Sequence, residues 1–264
     1  MNIVAVAGNH PRHLFFLNAV HAKHPLAGSI LQIREHMVPT PPSGIDERDR
    51  QNFIKHFHNR DEAEKKYFGS QSAPECERLE VSAEELNGSK SAAFIRKTQP
   101  DVVLIFGTDL IKGDFYHSLP PNTVNMHLGL SPKYRGAATL FWPFYFLEPQ
   151  FAGSTFHHII AEPDAGDVIH QTRPELEKGD HIHDVACKTV VQSAKDAVKL
   201  LELYEATGQW QSYRQKASGK NFLVSDFSPE HLRVIYDLYQ DNIVDCYLDG
   251  QLKSKEPKLI RQFP

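Results

Sequence analysis

Asp101-Val-Val-Leu-Ile-Phe106, closed by Gly107, is the stretch that decides the fold. A continuous apolar run between Pro100 and a glycine reads as a parallel strand buried on both faces. Upstream, Ser82-Ala-Glu-Glu85 has the pattern of a capping box, and the helix it would open runs to about Thr98, where Pro100 stops it. Asn2 to Ala7 is a second apolar strand running into Gly8-Asn9. Leu14 to His24 follows as a helix, and Gly28 to Arg34 as another strand. Met37 to Gly44 is Pro-rich and predicts a loop, and Asp46 to Phe68 predicts a charged helix with a heavily solvated face.

Downstream, Thr123 to His127 is a short strand ending in polar residues, and Gly136 to Leu147 is an aromatic-rich helix. Gly153 to Ala161 and Asp167 to Arg173 are strand candidates, and His183 to Ala206 is a long amphipathic helix. Strand–helix alternation through residue 206 predicts an α/β fold: a Rossmann-like, doubly wound, mostly parallel sheet spanning residues 1–206. Residues 207–264 form a small C-terminal appendix. Ser228-Pro-Glu-His231 starts a helix there, and Leu232, Ile235, Tyr236 and Tyr239 share one apolar face. A lone helix of that length is marginal in water, so the face must pack on the core or on a second subunit of a homodimer. A basic tail begins at Lys253.

Lys and Arg total 29 against 33 Asp and Glu, a net charge of −4, so nothing in the overall charge attracts a phosphate backbone and nucleic acid is not an expected partner. Three scattered cysteines, Cys76, Cys187 and Cys246, make neither a disulfide framework nor a four-thiolate zinc site. No apolar run approaches the roughly 20 residues of a membrane helix, and the N-terminus lacks the pattern of a secretory signal. The expected setting is cytoplasmic, without a membrane partner. His56 with His58, His157 with His158 and His181 with His183 lie close in sequence, yet none has metal-ligand spacing, so no metal is expected.

The chemistry concentrates in Asn125-Met-His-Leu-Gly-Leu-Ser-Pro-Lys-Tyr-Arg-Gly136. Asn125 and His127 are two apart on a strand end, so their side chains leave the same face, where open α/β sheets bind ligands. An amide beside an imidazole suits acyl transfer: the amide holds an oxyanion and the imidazole moves a proton. The alternative is a polar strand end that merely caps a loop. Farther on, Asp164 sits in Pro163-Asp-Ala-Gly166, a turn whose glycine permits close backbone approach. A carboxylate near His127 would raise the imidazole pKa and fix its tautomer; a plain Asx-turn aspartate is the alternative.

Together, Asn-x-His, Leu-Ser-Pro-Lys-Tyr-Arg-Gly and Asp-x-Gly-x-x-Ile-x-Gln resemble the 10-formyltetrahydrofolate-dependent formyltransferase family over roughly residues 1–206. The resemblance implies catalytic roles for Asn125, His127 and Asp164. It also implies a folate cleft at Phe106, Gly107, Thr108, Asp109 and Leu110 and at Ile160, Ala161, Glu162 and Pro163, with a plain strand-to-helix turn as the alternative for Gly107-Thr-Asp109. Gly8, Asn9, His10 and Arg12 stand where a helix N-terminus favours an anion. They resemble the phosphate loop of the ribonucleotide transformylase, without its Gly-Asn-Gly-Ser, and a structural turn is the alternative. Tyr134 and Arg135 complete the expected acceptor residues. One departure is plain: the family usually follows its histidine with a small residue and Leu-Leu-Pro, and here Leu128-Gly-Leu-Ser-Pro132 stands. The triad is unaltered, but the adjoining acceptor pocket should differ in shape.

The resemblance implies an amine acceptor, with a nucleotide-linked amino sugar favoured and glycinamide ribonucleotide or methionyl-tRNA as the alternatives within the family. Methionyl-tRNA calls for a basic surface and a full C-terminal barrel, and glycinamide ribonucleotide leaves the appendix without a use. A small-molecule amine, best a nucleotide-linked amino sugar, fits the charge and the altered loop. A formyltetrahydrofolate hydrolase and a non-catalytic folate- or nucleotide-binding module are the readings from other classes; the intact triad opposes the second.

Overall fold

The expected central strand, β4 (Val102–Phe106), lies in the middle of a seven-stranded sheet. The computed structural model describes residues 1–34, 38–216, 219–252 and 255–263. Met37 and Lys253, where the proline-rich loop and the basic tail were expected to start, lie outside them.

The chain runs β1 (Ile3–Gly8), α1 (Pro11–His21), β2 (Gly28–Gln32), α2 (Glu47–Phe68), β3 (Glu77–Val81), α3 (Ser89–Thr98) and β4. It continues through α4 (Gly113–Ser118), β5 (Thr123–His127), β6 (Tyr134–Gly136), α5 (Trp142–Tyr145), β7 (Ser154–His158) and β8 (Val168–Thr172). The last elements are α6 (Ile182–Thr207), β9 (Lys220–Phe222) and α7 (Ile243–Leu248). Sheet order is β3-β2-β1-β4-β5-β7-β8. The first five strands are parallel, and β7 runs antiparallel to both β5 and β8. The direction of winding reverses between β1 and β4, and the carboxyl ends of these strands and of β5 form the crevice expected of this topology.

Period-two alternation splits each central strand between two cores. Ile3, Ala5 and Ala7, with Val102, Leu104 and Phe106, face α1 and α6; Val4, Val6, Val103 and Ile105 face α3. A third core joins Phe53 of α2, Trp142 of α5 and Val185 of α6 to Phe222, Leu232, Ile235 and Tyr236. The predicted apolar face of the appendix therefore packs within its own chain, through a 3₁₀ turn and a π-helical turn rather than a regular α-helix.

Three local expectations meet tertiary partners that sequence does not display. The Ser82 capping box forms, with the Ser82 amide donating to Glu85 (3.1 Å) and the Glu85 amide to Ser82 Oγ (3.3 Å). It closes a turn only, and α3 starts beyond Asn87-Gly88. Residues 136–147 are helical only over Trp142–Tyr145, because residues 134–136 are drawn out to pair with β9. The charged helix α2 docks part of its polar side on the appendix. Arg233 grips Asp49 through two bonds (2.6 and 2.7 Å), Asn52 donates to Asp237 (3.1 Å), and His56 pairs with the Tyr236 hydroxyl (3.0 Å).

Leu232 is fully buried in the core that binds the appendix to α2 and α6. Leu232→Ala should destabilise the whole protein by about 2–5 kcal/mol in one cooperative denaturant transition. A separate early transition of the C-terminal segment would show instead that it folds apart from the sheet.

Candidate active site

Strand β5 presents Asn125 and His127 on one face, and the antiparallel register sets His157 of β7 directly opposite Asn125. The loop from β7 to β8 then brings Asp164 over this end of the sheet, with Asp164 at φ 51 in the left-handed region. Gly166 makes the approach possible, since a Cβ there would lie 1.7 Å from the His158 carbonyl oxygen. Asp164 Oδ2 lies 3.4 Å from His127 Nδ1 and accepts the Gly136 amide at 3.0 Å. Its Oδ1 lies 3.4 Å from both His157 Nε2 and Asn125 Nδ2, and those two nitrogens are 3.2 Å apart. The Tyr134 carbonyl meets His127 Nε2 at 3.0 Å. Gly129 is required beneath that ring, because a Cβ would stand 2.5 Å from His127 Nε2.

Burial dominates the electrostatics. It pushes His127 below the usual histidine range, and Asp164 only partly restores it; the expectation of a raised pKa falls to desolvation. Burial alone would raise Asp164, yet His127, His157 and the Gly136 amide together hold it well below the ordinary carboxylate range. At neutral pH the site is thus an ionised carboxylate beside a neutral imidazole. Neutral His127 has one N–H for two acceptors, the Asp164 carboxylate and the Tyr134 carbonyl, and only the imidazolium satisfies both. Burial nonetheless disfavours that charge and keeps the resting ring neutral.

Two cavities lie on either hand of this cluster, with no lining residue in common. One, of about 220 Å³, has Asn125, His157 and Asp164 in its wall, with Thr108, Asp109, Leu110, Ile160, Glu162 and Pro163 around them. Leu110 and Ile160 expose 52% and 44% of their surface, which gives this cavity an apolar rim. Asp109 is tethered by Arg34 (3.0 Å) and through its amide by Gln32 (2.8 Å). The other expected folate positions do not line the cavity. Phe106 is buried against His13 and Phe16 (ring centroids 4.6 and 5.3 Å), Gly107 lies under the His13 ring, and Ala161 faces solvent.

The second cavity, of about 390 Å³, opens between α2, α6 and residues 138–141. Leu128, the residue after His127, lines it, and its carbonyl accepts the Thr139 hydroxyl. Arg12 is the expected acceptor residue that reaches this cavity, where it pairs with Glu64. Gly8 and His10 are packed about His13, and Asn9 Oδ1 accepts the Arg34 amide (3.0 Å). Tyr134 is buried, and Arg135 lies 3.4 Å from Glu162. Sequence reading did not single out His56, Arg60 and His183 of this cavity as site residues, nor His157 of the first. His157 has a signal only once the β5–β7 register is known. Among the described residues no group of three or more His, Cys, Asp or Glu side chains is arranged to hold a metal ion, and no helix is long and apolar enough to cross a membrane.

A doubly wound sheet with an amide, an imidazole and a carboxylate converging at its switch-point crevice defines an α/β group-transfer enzyme. The formyl transferase family model matches residues 54–200, more than half of the chain, and the protein belongs to that family. Solved structures share the fold. Phosphoribosylglycinamide formyltransferase from Anaplasma phagocytophilum is 15% identical, with 84% of this chain and 97% of that one covered at a TM-score of 0.56. A sugar N-formyltransferase from a Shewanella species is 14% identical (89% and 87% covered, TM-score 0.55). The formyltransferase PseJ from Anoxybacillus kamchatkensis, in complex with UDP-4,6-dideoxy-4-formamido-L-AltNAc and tetrahydrofolate, is also 14% identical (92% and 96% covered, TM-score 0.51). At these identities the likeness carries the fold alone.

Four buried imidazoles near the crevice set an acid limit on stability. Burial, then neighbouring positive charge, lowers His10 to about 4 and His183 to about 3, and burial also holds His13 and His56 well below the usual value. The folded protein resists protons that the unfolded chain accepts near pH 6.5, so stability is complete above that pH and drains away as pH falls toward 4. Each such histidine costs about 1.4 kcal/mol per pH unit in this window. Tm should fall steeply between pH 7 and 5; a flat Tm would show that these imidazoles are not held neutral.

Proposed function

We propose that the protein moves the formyl group of 10-formyltetrahydrofolate to the primary amine of a small acceptor, and that this acceptor is a nucleotide-linked amino sugar. The observation that carries the reading is the Asn125–His127–Asp164 cluster with a cavity on either hand: Asn125 and Asp164 line the smaller one, and Leu128, the residue after His127, lines the larger. Direct transfer between two small molecules needs a space for each beside one acid–base cluster. The smaller cavity suits a flat bicyclic ring held between apolar rim residues and backbone groups, with the rest of the donor passing over the rim. The larger offers Phe57, Phe141 and Phe227 to a planar base and Arg12 and Arg60 to a diphosphate. The ligands of PseJ named above belong to that neighbour and support the same pairing of substrates here.

In this reading the acceptor amine attacks the formyl carbon. The Asn125 amide and His127 stabilise the oxyanion, Asp164 with water helps to take a proton from the new ammonium and pass it to the folate nitrogen, and the intermediate collapses by breaking the bond from the formyl carbon to that nitrogen, which leaves as tetrahydrofolate. His127→Ala and Asp164→Ala should each lower kcat at least about a hundredfold with circular dichroism unchanged. Near wild-type turnover in either variant would remove this mechanism.

A panel of nucleotide-linked amino sugars with 10-formyltetrahydrofolate identifies the acceptor, read as the mass gain of one formyl group. Arg12→Ala should raise KM for that acceptor about tenfold while KM for the folate stays within twofold. Steady formate release that no amine diverts would favour the hydrolase reading instead.

A further inference from the structure

The C-terminal segment reaches the catalytic loop itself. After α6 the chain returns along β8, where the backbones of Tyr213 and Val168 exchange two hydrogen bonds of 2.9 Å each. Two residues on, Gln215 Nε2 donates to the Asp164 carbonyl at 2.8 Å and to the Gly166 carbonyl at 2.7 Å. Farther along, β9 backs β6 in parallel, and the Ala137 amide donates to the Phe222 carbonyl at 2.7 Å. Strand β6 carries the Tyr134 carbonyl that meets His127 and the Gly136 amide that meets Asp164.

Gln215 has one available orientation. Both of its neighbours are carbonyls, so a flipped amide would turn oxygen against oxygen, and its own Oε1 is buried without a hydrogen-bond partner. Asp164 occupies the left-handed region, which aspartate tolerates better than most residues, and the turn around it is held from two sides. The His158 carbonyl fits tightly against Gly166 on one side, and the Gln215 amide ties both ends of the 164–166 turn on the other.

We propose that Gln215 is a positioning residue for formyl transfer: by donating to the carbonyls of Asp164 and Gly166 it keeps the Asp164 carboxylate on His127 and on the Gly136 amide. The proposal rests on the reading of Asp164 and His127 as the reacting pair. Gln215 acts through the turn rather than on the substrates, so its loss should spare binding and impair chemistry.

The test uses the full-length protein with Gln215→Leu, which removes the donor, and Gln215→Glu, which keeps the shape and sets a carboxylate against the two carbonyls. Displacing a catalytic carboxylate by about an ångström costs up to about a hundredfold. Both variants should therefore lose about 10- to 100-fold in kcat, with KM for folate and acceptor within about twofold. A second readout is the ¹⁵N imidazole titration of His127, assigned as the signal missing from His127→Ala. His127 is faced by Asp164, His157, Arg135 and the Tyr134 carbonyl. Moving the carboxylate away should lower the pH at which the ring titrates.

A kcat within twofold of wild type in either folded variant overturns the proposal. So does a raised acceptor KM with kcat unchanged, which would make the segment a binding element. Asp164→Asn separates the two levels. If that variant is inactive and the Gln215 variants are active, the positioning role alone falls. If Asp164→Asn is fully active, the catalytic reading fails and the proposal fails with it.

Discussion

One buried carboxylate organises this molecule. Asp164 is 85% shielded from water and remains ionised, which is tolerable only because the Gly136 amide, the Asn125 amide and two imidazoles surround it. These groups come from three strands: β6 supplies the Gly136 amide, β5 supplies Asn125 and His127, and β7 supplies His157. Strand β6 pairs with β9, so the requirement to satisfy one negative charge extends into the last fifth of the sequence. The same carboxylate sets the chemistry. An imidazolium 3.4 Å away would gain about 5 kcal/mol of attraction at an effective dielectric near 20. Burial outweighs that gain in the resting site and keeps His127 neutral until a proton arrives from the reaction.

The C-terminal segment accordingly supports the Asp164 cluster and the core behind it. Gln215 ties the Asp164 turn, and Leu232, Ile235 and Tyr236 fill the core against α2. Residues near the end run along β8, where the Gln171 amide donates to the Ile260 carbonyl (2.7 Å) and Gln262 donates to the Ile169 carbonyl (2.8 Å). This covers the outer edge of the sheet, which would otherwise present unpaired backbone groups.

What could be read from sequence follows the range of the interactions. The strands β1, β4 and β5 and the helix α6 were legible because their burial writes an apolar period into neighbouring residues. Strand β3 was not, since Glu77-Arg-Leu-Glu-Val81 is a largely exposed edge with almost no apolar signal. Asn125 and His127 were legible as a pair two apart on a strand, and Asp164 as an aspartate in a glycine turn. His157 faces Asn125 only through the antiparallel register, and Gln215 meets Asp164 across 51 residues, so neither leaves a local pattern. The folate positions divide by strand alternation: Ile105 borders the cavity, whereas Phe106, one residue on, points into the core behind it.

The loop after the histidine is built so that its two ends answer to different neighbours. In Leu128-Gly-Leu-Ser-Pro132 each residue meets a different neighbour. Leu128 lines the larger cavity, Gly129 lies under the His127 ring, and Leu130 is buried. The Ser131 amide donates to Thr155 Oγ1 (3.0 Å), and its carbonyl accepts Gln171 Nε2 (2.6 Å), which anchors the loop to β7 and β8. The loop is thus fixed at its far end by β7 and β8, while Leu128 at its near end lines the larger cavity. A change at Leu128 alters the walls of that cavity without moving His127, because Gly129 and the Tyr134 carbonyl set the ring from below.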